Sequence, residues 1–136
     1  MGTFLLEMAN INLQRNEERA QAYEASHKEE IVQQFIRLIL SHCKQQHEVS
    51  FYAKELCITS GYLSRIMKTS SGKTAIKWIS DALIAESKIL LRRPNVNIQQ
   101  VSDELHFGDQ SSFGKFFKKH MGLTPMEYKN EIREVE

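Results

Sequence analysis

Ile31, Phe35, Leu38, Ile39 and His42 recur at three- and four-residue spacing, which puts them on one face of a helix. Ser26 with Glu29 three residues on is a capping-box pattern just upstream. Together they predict a helix over about 27–46. A shorter helix follows from about Ser50 to Cys57, with Ala53 and Leu56 on one face and a tight turn at Ile58-Thr59. Thr59 can cap a third helix over about 60–70, with Leu63, Ile66 and Met67 apolar and Gly72 as its stop. Thr74 opens a longer one to about Arg92, whose apolar positions are Ile76, Ile79, Leu83, Ile84, Ile89 and Leu90, with Trp78 alongside. Arg92 and Arg93 suit its negative end and Pro94 stops it. Asn97 can cap a short helix over 98–105, and Asp109 another over about 110–120. Thr124-Pro125-Met126-Glu127 is a capping box with proline at the first helical position, opening a last helix to about Glu131. No strand-like alternation of useful length occurs, so the fold class predicted is all-α.

Residues 1–25 read differently. Leu5, Leu6, Met8, Ile11 and Leu13 suggest a short helix or strand remnant, and the polar stretch Gln14 to Glu24 reads as a linker. The division expected is a linker or upstream remnant over 1–25, a structured region over 26–131, and a tail over 132–136.

The second half of the structured region repeats the first. Glu55-Leu56 aligns with Glu104-Leu105, Leu63 with Phe113, and Arg65 with Lys115. Ile66-Met67-Lys68 aligns with Phe116-Phe117-Lys118, Gly72 with Gly122, and Thr74 with Thr124. One extra residue at Gly108 changes the offset within the turn. The chain therefore holds two copies of a short helix, a tight turn and a second helix, over 26–73 and 94–131, joined by a helix over 74–93.

Helical spacing assigns the faces of each second helix. Leu63, Ile66 and Met67 point inward in the first copy, and Phe113, Phe116 and Phe117 in the second. Ser60, Gly61, Ser64, Arg65 and Lys68 face outward in the first; Gln110, Ser111, Gly114, Lys115 and Lys118 do so in the second. Small residues let a helix approach base edges in a DNA groove. Arginine or lysine can then reach the paired acceptors of guanine, and glutamine those of adenine. Ser60, Gly61, Ser64, Arg65, Gln110, Ser111, Gly114 and Lys115 are the candidate base readers; Lys68, Lys73, Lys77, Lys118 and Lys119 are candidate phosphate contacts. A solvated helix face has a similar composition, but two matching copies favour the nucleic-acid reading.

Charge supports that reading only through its distribution. The net charge of +1 is neutral on the matter. Residues 50–130, however, hold 12 Lys or Arg against 7 Asp or Glu, a net of +5. Cys43 and Cys57 form no disulfide framework and read as small buried thiols in a reducing, cytoplasmic setting. Cys43 and His47, four apart with His42 adjacent, fall short of the three or four convergent ligands a metal needs. No metal or other cofactor is expected. No P-loop, G-x-S-x-G or H-E-x-x-H occurs, and the chain is read as a non-enzyme. No membrane segment is expected.

The segment Ser60-Gly61-Tyr62-Leu63-Ser64-Arg65-Ile66-Met67-Lys68, followed by Gly72, resembles the first helix-turn-helix of AraC/XylS-family bacterial transcription regulators. The stretch from Asp103 to His120 resembles the second, and Gly122-Leu123-Thr124-Pro125-Met126-Glu127-Tyr128-Lys129 the family's closing signature. The chain departs from the family at His106, usually glycine, at Ser112, often aromatic, at Trp78, often Tyr or Phe, and at Leu83, often Arg. The resemblance implies two recognition helices in successive major grooves of double-stranded DNA. It also implies an upstream sensor or dimerisation domain, with residues 1–25 as connector. RNA polymerase is a further candidate partner. The alternative is a helical protein–protein module that kept the fold but not the DNA.

Overall fold

The structure, a computed structural model, describes residues 2–135. Seven helices follow one another among them: α1 (Gly2–His42), α2 (Val49–Glu55), α3 (Ser60–Ser71), α4 (Ala75–Leu91), α5 (Ile98–Glu104), α6 (Gln110–Met121) and α7 (Pro125–Val135). No strand occurs among the described residues. The all-α expectation holds.

Most helix starts are set by the side chains expected to set them. Thr59 accepts from Tyr62 N, Thr74 from Lys77 N, and Asp109 from Ser112 N. Asn97 and Gln100 form a reciprocal capping box. Thr124 accepts from Glu127 N while its hydroxyl meets the Glu127 carboxylate at 3.1 Å. Gly72 and Gly122 end α3 and α6 at φ 79° and 80°, a left-handed cap where a Cβ would be strained.

The first helix departs from expectation. It does not begin near residue 27, and Ser26 is not its cap. Residues 14–24, read as a linker, are helical and continuous with the rest. The reason is composition: neither Gly nor Pro occurs between Gly2 and Gly61, and Gln, Glu, Arg and Ala dominate this stretch. Polarity marked the segment as unpacked, which it is, but not as irregular.

Each unit closes on a matching turn. Leu56 N donates to Tyr52 O, Cys57 N to Lys54 O and Ile58 N to Ala53 O. Leu105 N, His106 N and Phe107 N repeat the pattern onto Val101 O, Asp103 O and Ser102 O. Gly108 is the extra residue of the second turn. There Ser102 Oγ, whose counterpart in the first unit is Ala53, donates to Asp109 O at 3.0 Å and ties the longer turn to α5.

One core runs through both units. Ile31, Phe35 and Ile39 of α1 meet Tyr52, Leu63 and Met67; Ile79, Leu83, Leu90 and Leu91 of α4 continue the cluster to Val101, Leu105, Phe113 and Phe117. Phe35 and Tyr52 pack edge to face at 5.5 Å, and Tyr52 Oη donates to Gln46 O. Burial, and then the neighbouring Cys43, push the Tyr52 phenol up to about 12. Three details of the predicted core are corrected. Ile76 and Ile89 are exposed, because the apolar stripe of α4 is wider than the face it buries. Phe116 is half-buried, between Phe107 and His120. Cys43 is buried but Cys57 is exposed, because the chain reverses at Cys57 with φ 58° and carries its side chain outward.

A tandem helix-turn-helix interface

The outward face of α3 begins at Thr59, whose cap fixes the first turn. Ser60, Gly61, Arg65 and Lys68 are exposed and Ser64 half-exposed, while Leu63, Ile66 and Met67 are buried beneath them. Among the described residues Arg65 makes no ion pair, and it does not bridge to Glu55. It lies in a small depression with Lys28, Tyr62, Ile66, Thr69 and Ser70. Lys28 thus stands beside the first reading helix from α1, a neighbour that sequence spacing alone could not supply. Lys68 Nζ donates to Gly72 O at 3.0 Å, so this cation also closes the end of its own helix.

The second helix is more completely assembled. Gln110, Ser111, Gly114, Lys115 and Lys118 line one open groove of about 570 Å³. Ile98 at the start of α5 and Thr124, Pro125 and Met126 at the start of α7 form its other wall. All five outward residues of this unit therefore share one surface. Lys119 is exposed but lies outside the groove. A Cβ on Gly114 would meet nothing within 4 Å, so the fold itself does not require glycine there; the same holds for Gly61. Asp109 is held below the usual carboxylate range, first by hydrogen bonding from Ser112, with the Lys115 charge a lesser contributor.

Lys73 and Lys77 are engaged otherwise. Lys73 Nζ donates to Asp81 Oδ2 at 2.9 Å, and Lys77 Nζ lies 3.0 Å from Oδ1. Lys73 also sits 4.3 Å from the centre of the Trp78 ring, whose Nε1 donates to Ser71 Oγ. An i,i+4 spacing from Lys77 to Asp81 was the readable sign of this triad.

Among the described residues, no group of three or more His, Cys, Asp or Glu side chains could hold a metal. Burial, then the Glu86 carboxylate, push the Cys43 thiol up, which disfavours a ligating thiolate. No described helix is long and apolar enough to cross a membrane.

Two capped turns with the same hydrogen-bond pattern, each presenting a helix with small and cationic outward residues, define a tandem helix-turn-helix protein. The family described as "Helix-turn-helix domain" matches residues 52–131. The chain belongs to this family, in its AraC/XylS branch. The Msm operon regulatory protein of Streptococcus mutans is 28% identical over 102 residues, covering 75% of this chain and 37% of that protein. The chain thus spans little more than a third of that relative's length. The C-terminal domain of AraT, a response regulator from Geobacillus stearothermophilus, is 25% identical with a TM-score of 0.69, covering 74% of this chain and 84% of that one. The DNA-binding domain of AdpA, a global transcriptional factor solved in complex with a target DNA, is 17% identical with a TM-score of 0.66, covering 80% of this chain and 95% of that one; this last likeness concerns the fold alone.

Proposed function

We propose that the chain is the sequence-specific, double-stranded-DNA-binding part of a bacterial transcription regulator, with α3 and α6 reading successive major grooves. The observation that carries this is the groove along α6. Gln110, Ser111, Gly114, Lys115 and Lys118 converge there, and among the described residues neither lysine is taken up by a carboxylate. A helix that offers a glutamine amide, two cations and an absent side chain along one face matches the acceptors of base edges. Its relatives are named as operon regulators, and the AdpA domain of similar fold holds its target DNA.

In this reading Ser60, Gly61, Ser64 and Arg65 address one groove and Gln110, Ser111, Gly114 and Lys115 the next. Lys68, Lys118 and Lys119 meet phosphates, with Lys28 as an added contact beside Arg65. Lys73 and Lys77 join them by exchanging Asp81 for phosphate. Met126, exposed at the wall of the second groove, offers apolar contact to a thymine methyl. Residues 1–25 act as the connector to a further domain of a longer regulator. RNA polymerase is met through the exposed side of the later part of α1, in the cytoplasm.

Selection of bound duplexes from a random pool tests the reading. The expected product is an asymmetric site with two short elements about 10 base pairs apart, because two unequal heads sit in one chain. A pool that shows no enrichment overturns it.

A further inference from the structure

From residue 12 to residue 30 every residue of α1 is exposed, and among the described residues none before Lys28 joins the core or the depression beside Arg65. A helix that is polar on most sides and packs on nothing is marginal in water. The segment is not uniform, however. Leu13, Asn16, Ala20, Tyr23 and His27 recur at alternating spacings of three and four. Leu13 is 60% exposed and Tyr23 73%. The same spacing continues back along the sequence through Ala9 to Leu6. Between 12 and 30 every other position is polar or charged except Ala22 and Ala25. A repeat of about 3.5 residues with an apolar line is what a two-stranded coiled coil requires.

We propose that this stripe pairs with the same stripe of a second copy of the chain, parallel and in register. Charge decides the orientation. Parallel pairing places Arg19 of each copy, on one flank of the stripe, beside Glu24 of the other, five residues on, and does so on both sides. Antiparallel pairing brings Arg19 towards Arg19 and Glu17 towards Glu17. Asn16 then faces its own counterpart within the stripe, where an amide pair favours the in-register alignment at a cost in affinity. DNA is a poor occupant of this segment, since Glu17, Glu18 and Glu24 outnumber Arg15 and Arg19. Small Ala20 makes the association weak. Its effect is to place two tandem reading units, four reading helices, at the same end of one rod.

Sedimentation of the intact chain without DNA over a wide concentration range tests this independently of the proposed function. The chain should dimerise with rising concentration. Leu13→Glu with Tyr23→Glu should leave a monomer with an unchanged melting curve, since neither residue touches the core. Asn16→Leu should tighten the dimer by about tenfold. Arg19→Glu should weaken it, and adding Glu24→Arg should restore it. In a Cys57→Ser background, Leu13→Cys should form a disulfide with itself on oxidation. A wild type and Asn16→Leu that both stay monomeric, a dimer indifferent to the Leu13/Tyr23 pair, or a Leu13→Cys chain that does not cross-link would each overturn the proposal.

Discussion

Cys57 and His106 occupy the same backbone corner in the two halves of the molecule, at φ 58° and 59°. Each follows a leucine cap and directs the chain from a short helix into its turn. Neither is a glycine, although the left-handed region costs an ordinary side chain about 1–2 kcal/mol. The two units therefore carry the same strain at the same place. His106 Nδ1 lies 3.1 Å from Glu104 O, a local contact that offsets part of it.

Cys57→Gly should stabilise the chain by about 0.5–1 kcal/mol, the relieved strain less the extra entropy of an unfolded glycine. His106→Gly should gain less, because it gives up the contact with Glu104. Calorimetry should show melting temperatures raised by a few degrees, Cys57→Gly the more. Unchanged or lower values would mean the corner holds no strain.

Arg65→Ala should cost about 1–3 kcal/mol on the selected site and relax preference at one or two adjacent base pairs. Its freedom from carboxylates predicts an unchanged melting temperature. Lys68→Ala should weaken all duplexes alike and lower the salt slope by about one phosphate's worth. Titration of both variants against specific and random duplexes at several salt concentrations separates the roles. A destabilised Arg65→Ala with intact base preference would make Arg65 structural.

Gly114→Ala separates fold from function. Its Cβ meets no protein atom, so the helix should gain up to about 1 kcal/mol. A methyl group in the α6 groove should nevertheless reduce affinity for the specific duplex. Paired melting and binding curves decide; a variant both more stable and equally tight would show that the groove floor never meets DNA.

Asp81 should leave a pH signature. Partial burial opposes its ionisation, but the hydrogen bonds and charges of Lys73 and Lys77 outweigh this and hold the carboxyl below its ordinary 3.8. A carboxyl depressed in the folded state stabilises above that value, and the contribution fades as pH falls through the lower folded value. His120 adds a second window. Burial first, then Lys77 and Lys119, lower its pKa from 6.5, so folding favours the neutral ring and stability declines as pH drops below about 6.5. In melting curves from pH 7 to 3, Asp81→Asn should remove the acid-most loss and His120→Gln the earlier one. Asp81→Asn should also tighten binding to random duplexes at low salt by releasing two lysines. A variant whose pH profile and DNA affinity both match wild type would show that the triad holds neither role.

The parts of the fold that were legible were those whose chemistry is local. Thr59, Thr74, Asn97, Asp109 and Thr124 announce helix starts because a side-chain oxygen facing a free N–H needs only adjacent sequence. The repeat was legible because the two units share caps and inward residues. The exposure of Cys57 was hidden, since period alone cannot show that one residue turns left-handed. The length of α1 was hidden because Leu13, Ala20 and Tyr23 are the sparse apolar markers of a stretch otherwise made of polar residues with good helix propensity, too thin a stripe to set it apart from a linker. The meeting of Lys28 with Arg65, the wall that Ile98 and Met126 add to the second groove, and the packing of His47 against Phe107 at 4.8 Å all join segments distant in sequence. Spacing along one helix cannot register such encounters.

Because α4 contributes to the core beneath both units, the two heads have no hinge of their own. At 17 residues this strut is about 25 Å long, whereas the major groove of straight B-form DNA returns every 34 Å or so. If the two heads stand no further apart than this strut is long, a duplex read by both supplies the compliance the protein withholds. Selectivity would then reach base pairs that no side chain touches. Between the two contacted elements, easily kinked pyrimidine–purine steps would be favoured over stiff adenine tracts, and the protein would measure how willingly a sequence bends as well as what it spells.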